Sequence, residues 1–161
     1  MKKYKWIIIL LNLVLLLLYF NYSVIEKEQL LKNGRLVLLE LTPVDPRSLM
    51  QGDYMALRYK ITDSITQELP KRGYCVVRID SDGIAECIRF QTNATPLHEA
   101  EYLIEFNASS NRNISIGAES FFFQEGEAAK YDNAKYGGLR IDLHGNSLLT
   151  GLYNQQGQLI Q

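Results

Sequence analysis

The sequence predicts a mainly β domain behind an N-terminal transmembrane helix. One unbroken apolar run near the start of the chain, Trp6 to Tyr22, indicates the helix. Short segments of alternating polar and apolar residues, separated by turn residues, indicate the β domain, and no β-helix-β units alternate along the chain. We therefore expect a mostly antiparallel sheet that forms a sandwich or an open, barrel-like sheet with one or two short helices.

The apolar run is long enough to cross most of a bilayer core, since it spans roughly 25 Å at ~1.5 Å per helical residue. Aromatic residues stand at both of its ends, and three lysines precede it: Lys2, Lys3 and Lys5. The positive-inside rule then places the N-terminus in the cytoplasm and the rest of the chain on the other side of the membrane. A cleaved signal peptide is the rival interpretation, but no small-x-small cleavage pair follows the run.

Four consecutive parts follow from this reading. They are a cytoplasmic tail (1–5), a transmembrane anchor (6–22), a short helical linker (23–34) and an extracytoplasmic β domain (35–161). The linker is predicted to be helical because good helix formers precede Asn33-Gly34, which is a natural helix stop.

The charge of the exported part argues against nucleic acid as a partner. After the apolar run, 14 Lys and Arg stand against 18 Asp and Glu, and the basic residues are not clustered. A nucleic-acid surface needs grouped cations to neutralise phosphates. The membrane that holds the anchor is therefore the one partner that composition indicates.

Leu41 to Tyr59 is the most distinctive stretch of the chain. Prolines 43 and 46 exclude a helix at its start, and Gly52-Asp53 is a turn pair. Together with the preceding Asp45 and Arg47, the stretch resembles the bacterial GDYXXLXY-domain proteins, whose name is spelled here by Gly52, Asp53, Tyr54, Leu57 and Tyr59.

A second segment carries the same resemblance nearer the C-terminus. Residues 119–126 are similar to the Glu-x-Tyr/Phe-Phe-x-x-Glu-Gly segment of that family, although Gln124 stands where the family often has proline. The matching positions are Glu119, Phe122, Glu125 and Gly126. The resemblance implies a protein of unassigned biochemical role that is anchored in a bacterial inner membrane, with its domain in the periplasm or another extracytoplasmic space. It also implies that the protein acts as an accessory of a polytopic membrane protein.

The roles of the motif residues allow two interpretations. Period-two alternation from Tyr54 to Ile61 predicts a strand with Leu57 and Tyr59 on its core face, which leaves Tyr54 as a contact residue. Asp45, Arg47 and Asp53 form either an ion pair that pins the loop or a surface that faces a partner. The alternative function is a small-ligand or hydrolytic pocket, lined by Asp53, Tyr54, Glu119 and Glu125.

Residues 74–90 are predicted to form a β-hairpin around a turn at Asp80 to Gly83. If Cys75 faces Cys87 directly, then Val77 faces Ala85 and both sulfur atoms lie on one face, whereas a one-residue slip separates them. An oxidising compartment permits a disulfide. The sequence leaves a disulfide and a pair of buried thiols equally open.

Three further elements are predicted. Arg35 to Thr42 is apolar enough for a strand that is buried on both faces, and Glu127 to Tyr136 suits a short polar helix. Leu139 to Tyr153 reads as a hairpin around His144 to Ser147.

The sequence contains no recognisable catalytic, metal-binding or cofactor-binding motif. The two histidines are isolated, the two cysteines are twelve residues apart, and no glycine-rich phosphate loop occurs. We therefore expect a protein that is not an enzyme and that binds neither a metal nor a cofactor.

Overall fold

The structure is a computed structural model that describes residues 2–42, 54–62, 69–110, 113–124 and 126–160. It begins with one long helix, α1, Lys2–Asn33. This helix contains no proline or glycine, and at its end the N–H of Gly34 donates to the carbonyl of Leu30 at 2.9 Å. A Cβ at Gly34 would collide with that carbonyl oxygen, so glycine suits the stop. The segment predicted as a linker helix continues the apolar helix without a break.

Most of α1 stands away from the rest of the protein. Its segment Tyr4–Asn33 is long and apolar enough to cross a membrane, and none of the most apolar window is buried within the protein. From Tyr4 to Asn33, Leu30, near the C-terminal end of the helix, is the one residue that is buried. The helix is therefore attached to the β domain only through its last turns.

Nine strands follow in the described part of the chain. Their bounds are β1 (Arg35–Glu40), β2 (Tyr54–Ala56), β3 (Arg72–Ile79), β4 (Ala85–Gln91), β5 (Glu101–Ser110), β6 (Asn113–Ser115), β7 (Ser120–Phe122), β8 (Tyr136–Ile141) and β9 (Ser147–Tyr153).

The strands form three antiparallel sheets. One has the order β1-β8-β9, a second is the pair β2-β7, and the third has the order β4-β3-β5-β6. Single bridges extend the sheets, including a parallel one between Leu38 and Ile84 that joins the first sheet to the β3–β4 turn. The predicted fold class, a mostly antiparallel β domain behind an N-terminal helix, is confirmed.

All three sheets share one hydrophobic core. Its largest fully buried side chains come from β1, β5, β8, β9 and the stretch after β2, and they include Leu39, Tyr59, Phe106, Leu139 and Leu152. Phe90 packs edge-on against Phe106, with 5.4 Å between ring centroids. A single core of this kind makes residues 35–160 one folding unit, so far as they are described.

Two predicted elements are wrong in extent. The strand expected from Tyr54 to Ile61 ends at Ala56, because the chain turns into a 3-10 helix, Lys60–Thr62, after one bridge between Tyr59 and Leu41. The helix expected over residues 127–136 is a single 3-10 turn, Ala128–Tyr131, since Tyr136 already belongs to β8. The prediction that the first strand is buried on both faces is confirmed at Val37, Leu38 and Leu39.

Candidate functional site

The two signature segments pair with each other. Strand β2 begins at Tyr54 of the first segment, and β7 carries Phe122 of the second. The antiparallel register sets Tyr54 opposite Phe122 and Met55 opposite Phe121. Just beyond the strands, the N–H of Leu57 donates to the carbonyl of Glu119 at 2.7 Å. Two segments that lie about 65 residues apart in sequence therefore form one joint.

Leu57 and Tyr59 lie in the core, on the face that the alternation predicts. Tyr59 is 1% exposed, and its hydroxyl donates to the carbonyl of Ala118 at 2.7 Å. Its ring lies against the backbone of Gly137, where an added Cβ would stand only 2.8 Å from the ring. Tyr59 therefore contacts both β8 and the segment before β7 and holds them together.

Burial also sets the ionisation of this tyrosine. Removal from water raises the pKa of Tyr59 far above its ordinary value, and the negative charge of Glu119 raises it further. The phenol stays protonated at any physiological pH. It acts as a hydrogen-bond donor to the Ala118 carbonyl rather than as a general base.

Glu119 shapes the turn before β7. Its carboxylate accepts hydrogen bonds from the Ser115 hydroxyl, at 2.9 Å, and from the backbone N–H of Ile116. Gly117 lies between Ile116 and Glu119 in the sequence and has a φ of +78°, which glycine adopts without strain. Both carboxylate oxygens of Glu119 are thus engaged in holding a tight turn.

Phe122 lies on the outer side of the joint. Its side chain is 74% exposed, whereas the neighbouring Phe121 packs partly buried against the core and edge-on to Tyr131. Gly126, which ends the second segment, has a φ of +83°. The remaining predicted motif residues lie outside the described residues, as does the side chain of Tyr54: they are Asp45, Arg47, Gly52, Asp53 and Glu125.

The structure joins Cys75 and Cys87 in a disulfide, with 6.2 Å between their Cα atoms. The directly facing register is wrong. Val77 pairs with Cys87 instead of Ala85, because the turn is longer than predicted and Ile79 pairs with Ala85 across it. A β-bulge at Ile88 then adds one more residue to β4, so that Cys75 pairs with Phe90. Cys87 faces Val77, which is two residues from Cys75, so both cysteines lie on the same face of the hairpin as diagonal neighbours.

The sequence reading missed an ion pair that ties the loop after β4. Arg89 donates to both oxygens of the buried Glu101 carboxylate, at 2.7 and 2.8 Å, and also to the carbonyl of Pro96. The Arg89 hydrogen bonds, with one from the His98 N–H, lower the pKa of Glu101 to about 2. An acidic residue at the first position of a strand was the available signal, but its partner depends on the fold.

The sequence reading also missed a groove where α1 meets the β domain. It has a volume of about 670 Å³ and lies between one face of α1 and the β8–β9 turn. Arg35 and Tyr102 also line it, and the Arg35 guanidinium stacks 4.7 Å above the tyrosine ring. No group of side chains in the described ranges is arranged to hold a metal ion.

Comparison with known proteins assigns the chain to a family. No curated protein and no solved structure matches the chain. A family model described as the GDYXXLXY protein matches residues 16–152, a range that contains α1 from its middle, both signature segments and nearly all of the β domain. The chain therefore belongs to the GDYXXLXY protein family.

Proposed function

We propose that the protein is a single-pass, membrane-anchored accessory protein whose β domain binds a polytopic membrane protein without catalysing a reaction. The apolar part of α1 serves as the anchor in this proposal, with its N-terminus in the cytoplasm and the β domain in the periplasm or another extracytoplasmic space. Because α1 continues unbroken to the first strand, the domain stays close to that membrane.

The observation that carries the proposal is that the two sides of the joint between β2 and β7 differ. The inner residues, Leu57, Tyr59 and Glu119, are used to hold the fold, whereas the outer face presents the exposed aromatic side chain of Phe122. Exposed aromatic residues on a rigid scaffold are typical anchors of protein interfaces. We therefore propose that the partner binds the outer face of the β2–β7 pair.

The rival function, a ligand or hydrolytic pocket, has weaker support. It requires the Glu119 carboxylate to be available to a substrate, but that carboxylate is bonded to Ser115 and Ile116. Tyr59, the nearby phenol, is buried and bonded to a backbone carbonyl. Glu119 could act on a ligand only by breaking the hydrogen bonds that hold the turn. Tyr59 could act only by breaking its hydrogen bond to the Ala118 carbonyl.

In-cell photocrosslinking tests the proposal. A photoreactive phenylalanine analogue at position 122 of the full-length chain should capture one polytopic membrane protein in the native cells. The matched control places the analogue at Leu97, a partly exposed apolar residue in the loop after β4. Capture of the same protein from both positions, or of none from position 122, would contradict the assignment of the β2–β7 face.

A further inference from the structure

Asn12 is a polar residue well inside the proposed membrane anchor. At ~1.5 Å of rise per residue, it lies about 9 Å from Trp6 and about 15 Å from Tyr22, the two ends of the apolar run. A polar group without a hydrogen-bond partner in hydrocarbon is costly. Only long side chains, such as those of lysine and arginine, reach the interface from within a span. The short carboxamide of Asn12 therefore needs a partner inside the membrane.

Helix α1 itself does not supply that partner. The Asn12 side chain is exposed, and it makes no hydrogen bond to any other residue that the structure describes. Asn21 differs, since its side chain donates to the carbonyl of Leu17 at 2.8 Å. The two asparagines are nine residues apart and thus lie on opposite sides of the helix. Asn12 is therefore the one whose carboxamide is available to a neighbouring helix.

Asn12 belongs to a line of hydrogen-bonding side chains along one face of α1. From Asn12 to Asn33, seven positions recur at alternating spacings of three and four residues, and all but Leu15 can form hydrogen bonds: Asn12, Tyr19, Tyr22, Glu26, Gln29 and Asn33. The last four also line the groove beside the β8–β9 turn, so they lie on one side of the helix. This spacing is the seven-residue repeat by which parallel helices pair. We call the seven positions, with Ile8 before them, the α1 seam.

A second copy of the chain offers the matching group. Copies of one single-pass anchor insert in the same direction, so two α1 helices are parallel and their Asn12 residues lie at the same depth. A carboxamide has both a donor and an acceptor, so two of them can bond each other across a two-fold axis. A helix of another protein would have to carry its own polar residue at that depth, whereas a second copy always does.

The β domain leaves the membrane part of the seam accessible. None of the most apolar window of α1 is buried within the protein. The β8–β9 turn lies beside the seam only from Tyr22 onwards, where the groove separates it from the helix. A second helix can therefore contact the seam between Ile8 and Tyr22.

We infer that α1 pairs with α1 of a second copy inside the membrane, as a parallel dimer with a hydrogen bond between the two Asn12 side chains. Ile8 and Leu15 pack on either side of this bond, and Tyr19 follows one heptad after Asn12. The dimer presents two β domains on the same side of the membrane. It rests on the membrane anchorage in the proposed function and not on the partner protein.

Energy transfer between full-length chains tests the pairing. Donor-labelled and acceptor-labelled copies are mixed in phosphatidylcholine vesicles, and the lipid-to-protein ratio at which the transfer falls to half reports the dissociation constant. Asn12→Leu should weaken the dimer about tenfold, because the interhelical hydrogen bond is lost. The variant helix is more apolar than the wild type, so it still inserts.

Two matched variants are the controls for this measurement. Asn12→Gln keeps a carboxamide in the seam and should retain most of the affinity. Asn21→Leu removes the same group from the opposite side of α1 and should leave the affinity unchanged, because that carboxamide is bonded to the Leu17 carbonyl. A wild-type chain without energy transfer, or an Asn12→Leu dimer as tight as the wild type, would overturn the inference.

Photocrosslinking in the same vesicles identifies the face of the helix. A photoreactive phenylalanine analogue at Leu15 should capture a second copy of the chain, whereas the analogue at Leu17, on the opposite side, should not. Equal capture from both positions would contradict the seam. The vesicles hold no other protein, so the result does not depend on the polytopic partner. A chain that dimerises here but captures no partner from position 122 in cells would contradict the proposed function alone.

Discussion

Tyr59 links the two signature segments through one buried hydrogen bond. Its hydroxyl is the donor to the Ala118 carbonyl at 2.7 Å. Tyr59→Phe would keep the ring but leave that carbonyl without its partner in the core. We expect the free energy of unfolding to fall by about 1 to 3 kcal/mol, which is the usual cost of an unsatisfied buried group. Denaturant unfolding of the full-length chain in micelles measures it.

Tyr74→Phe is the control for this prediction. Tyr74 is partly buried, and within the described ranges its hydroxyl has no recorded hydrogen bond. Its loss should change stability by less than about 0.5 kcal/mol, as for most substitutions away from buried networks. A Tyr59→Phe variant as stable as Tyr74→Phe would show that the Ala118 carbonyl finds another donor.

The Arg89–Glu101 pair predicts how stability depends on pH. In the folded protein the pKa of Glu101 is lowered to about 2, whereas in the unfolded chain it is near ~4.3. The unfolded state therefore takes up a proton first as the pH falls, so the pair's contribution is fully present above about pH 5 and is lost progressively towards pH 2. Melting temperatures measured from pH 7 to pH 2.5 should show this loss.

Glu101→Gln isolates the contribution of this carboxylate. The variant should melt below the wild type at pH 7, and the gap should narrow as the pH falls. Glu86→Gln is the control, because Glu86 is an exposed carboxylate on β4, the strand that carries Arg89. A gap that stays constant down to pH 2.5 would mean that the lost stability comes from packing rather than from the charge of Glu101.

The sequence alone predicts that Leu57 and Tyr59 are buried, but it does not predict which groups these side chains bond to or contact. Alternation placed Leu57 and Tyr59 on a core face, because a half-buried strand imposes that period. The acceptor for Tyr59 lies 59 residues further along the chain, and only the pairing of β2 with β7 brings it there. The Arg89–Glu101 contact depends in the same way on the register of β3 with both of its neighbours.

Strand β7 carries two adjacent phenylalanines with opposite surroundings. Phe121 packs against the core and Tyr131, whereas Phe122 is exposed. Phe121→Ala should lower the free energy of unfolding by about 1 to 3 kcal/mol, because part of an aromatic side chain leaves the core. Phe122→Ala should lower it less than Phe121→Ala does, because the Phe122 side chain is 74% exposed.

The same two variants also separate fold from binding. Phe122→Ala, tested at a temperature where it is folded, should lose the polytopic partner in a pull-down from native membranes. Phe121→Ala, tested at a temperature where it is folded, should keep that partner. If neither variant changes the pull-down, then the β2–β7 face is not the contact surface.

The hairpin of β3 and β4 shows which part of an element can be predicted. Turn residues and alternation were enough to predict the hairpin, and the antiparallel fold class followed from many such segments. Its register was not predictable, because the sequence did not give the length of the turn, residues 80–84, or the bulge at Ile88 that sets Phe90 opposite Cys75. The early end of β2 likewise reflects the 3-10 turn that brings Ile61 into the core.

The proposed membrane orientation of the whole protein predicts the state of its two cysteines in cells. Cys75 and Cys87 lie on paired strands of the β domain, and they are the only cysteines in the sequence. A disulfide persists in an oxidising compartment and is rare in the cytosol. Peptide mapping of the protein from native membranes, without reduction and with free thiols blocked at lysis, should therefore recover Cys75 linked to Cys87.

Charge reversal before the apolar run tests the cause of that orientation. The triple variant Lys2→Glu, Lys3→Glu, Lys5→Glu removes the cytoplasmic positive charge, so a fraction of chains should insert inverted and carry free thiols at positions 75 and 87. The matched variant Lys27→Glu, Lys32→Glu changes the opposite flank and should keep the disulfide, because it strengthens the same charge asymmetry. Free thiols at positions 75 and 87 of the wild-type chain would place the β domain on the reducing side of the membrane. The proposed orientation of α1 would then be wrong.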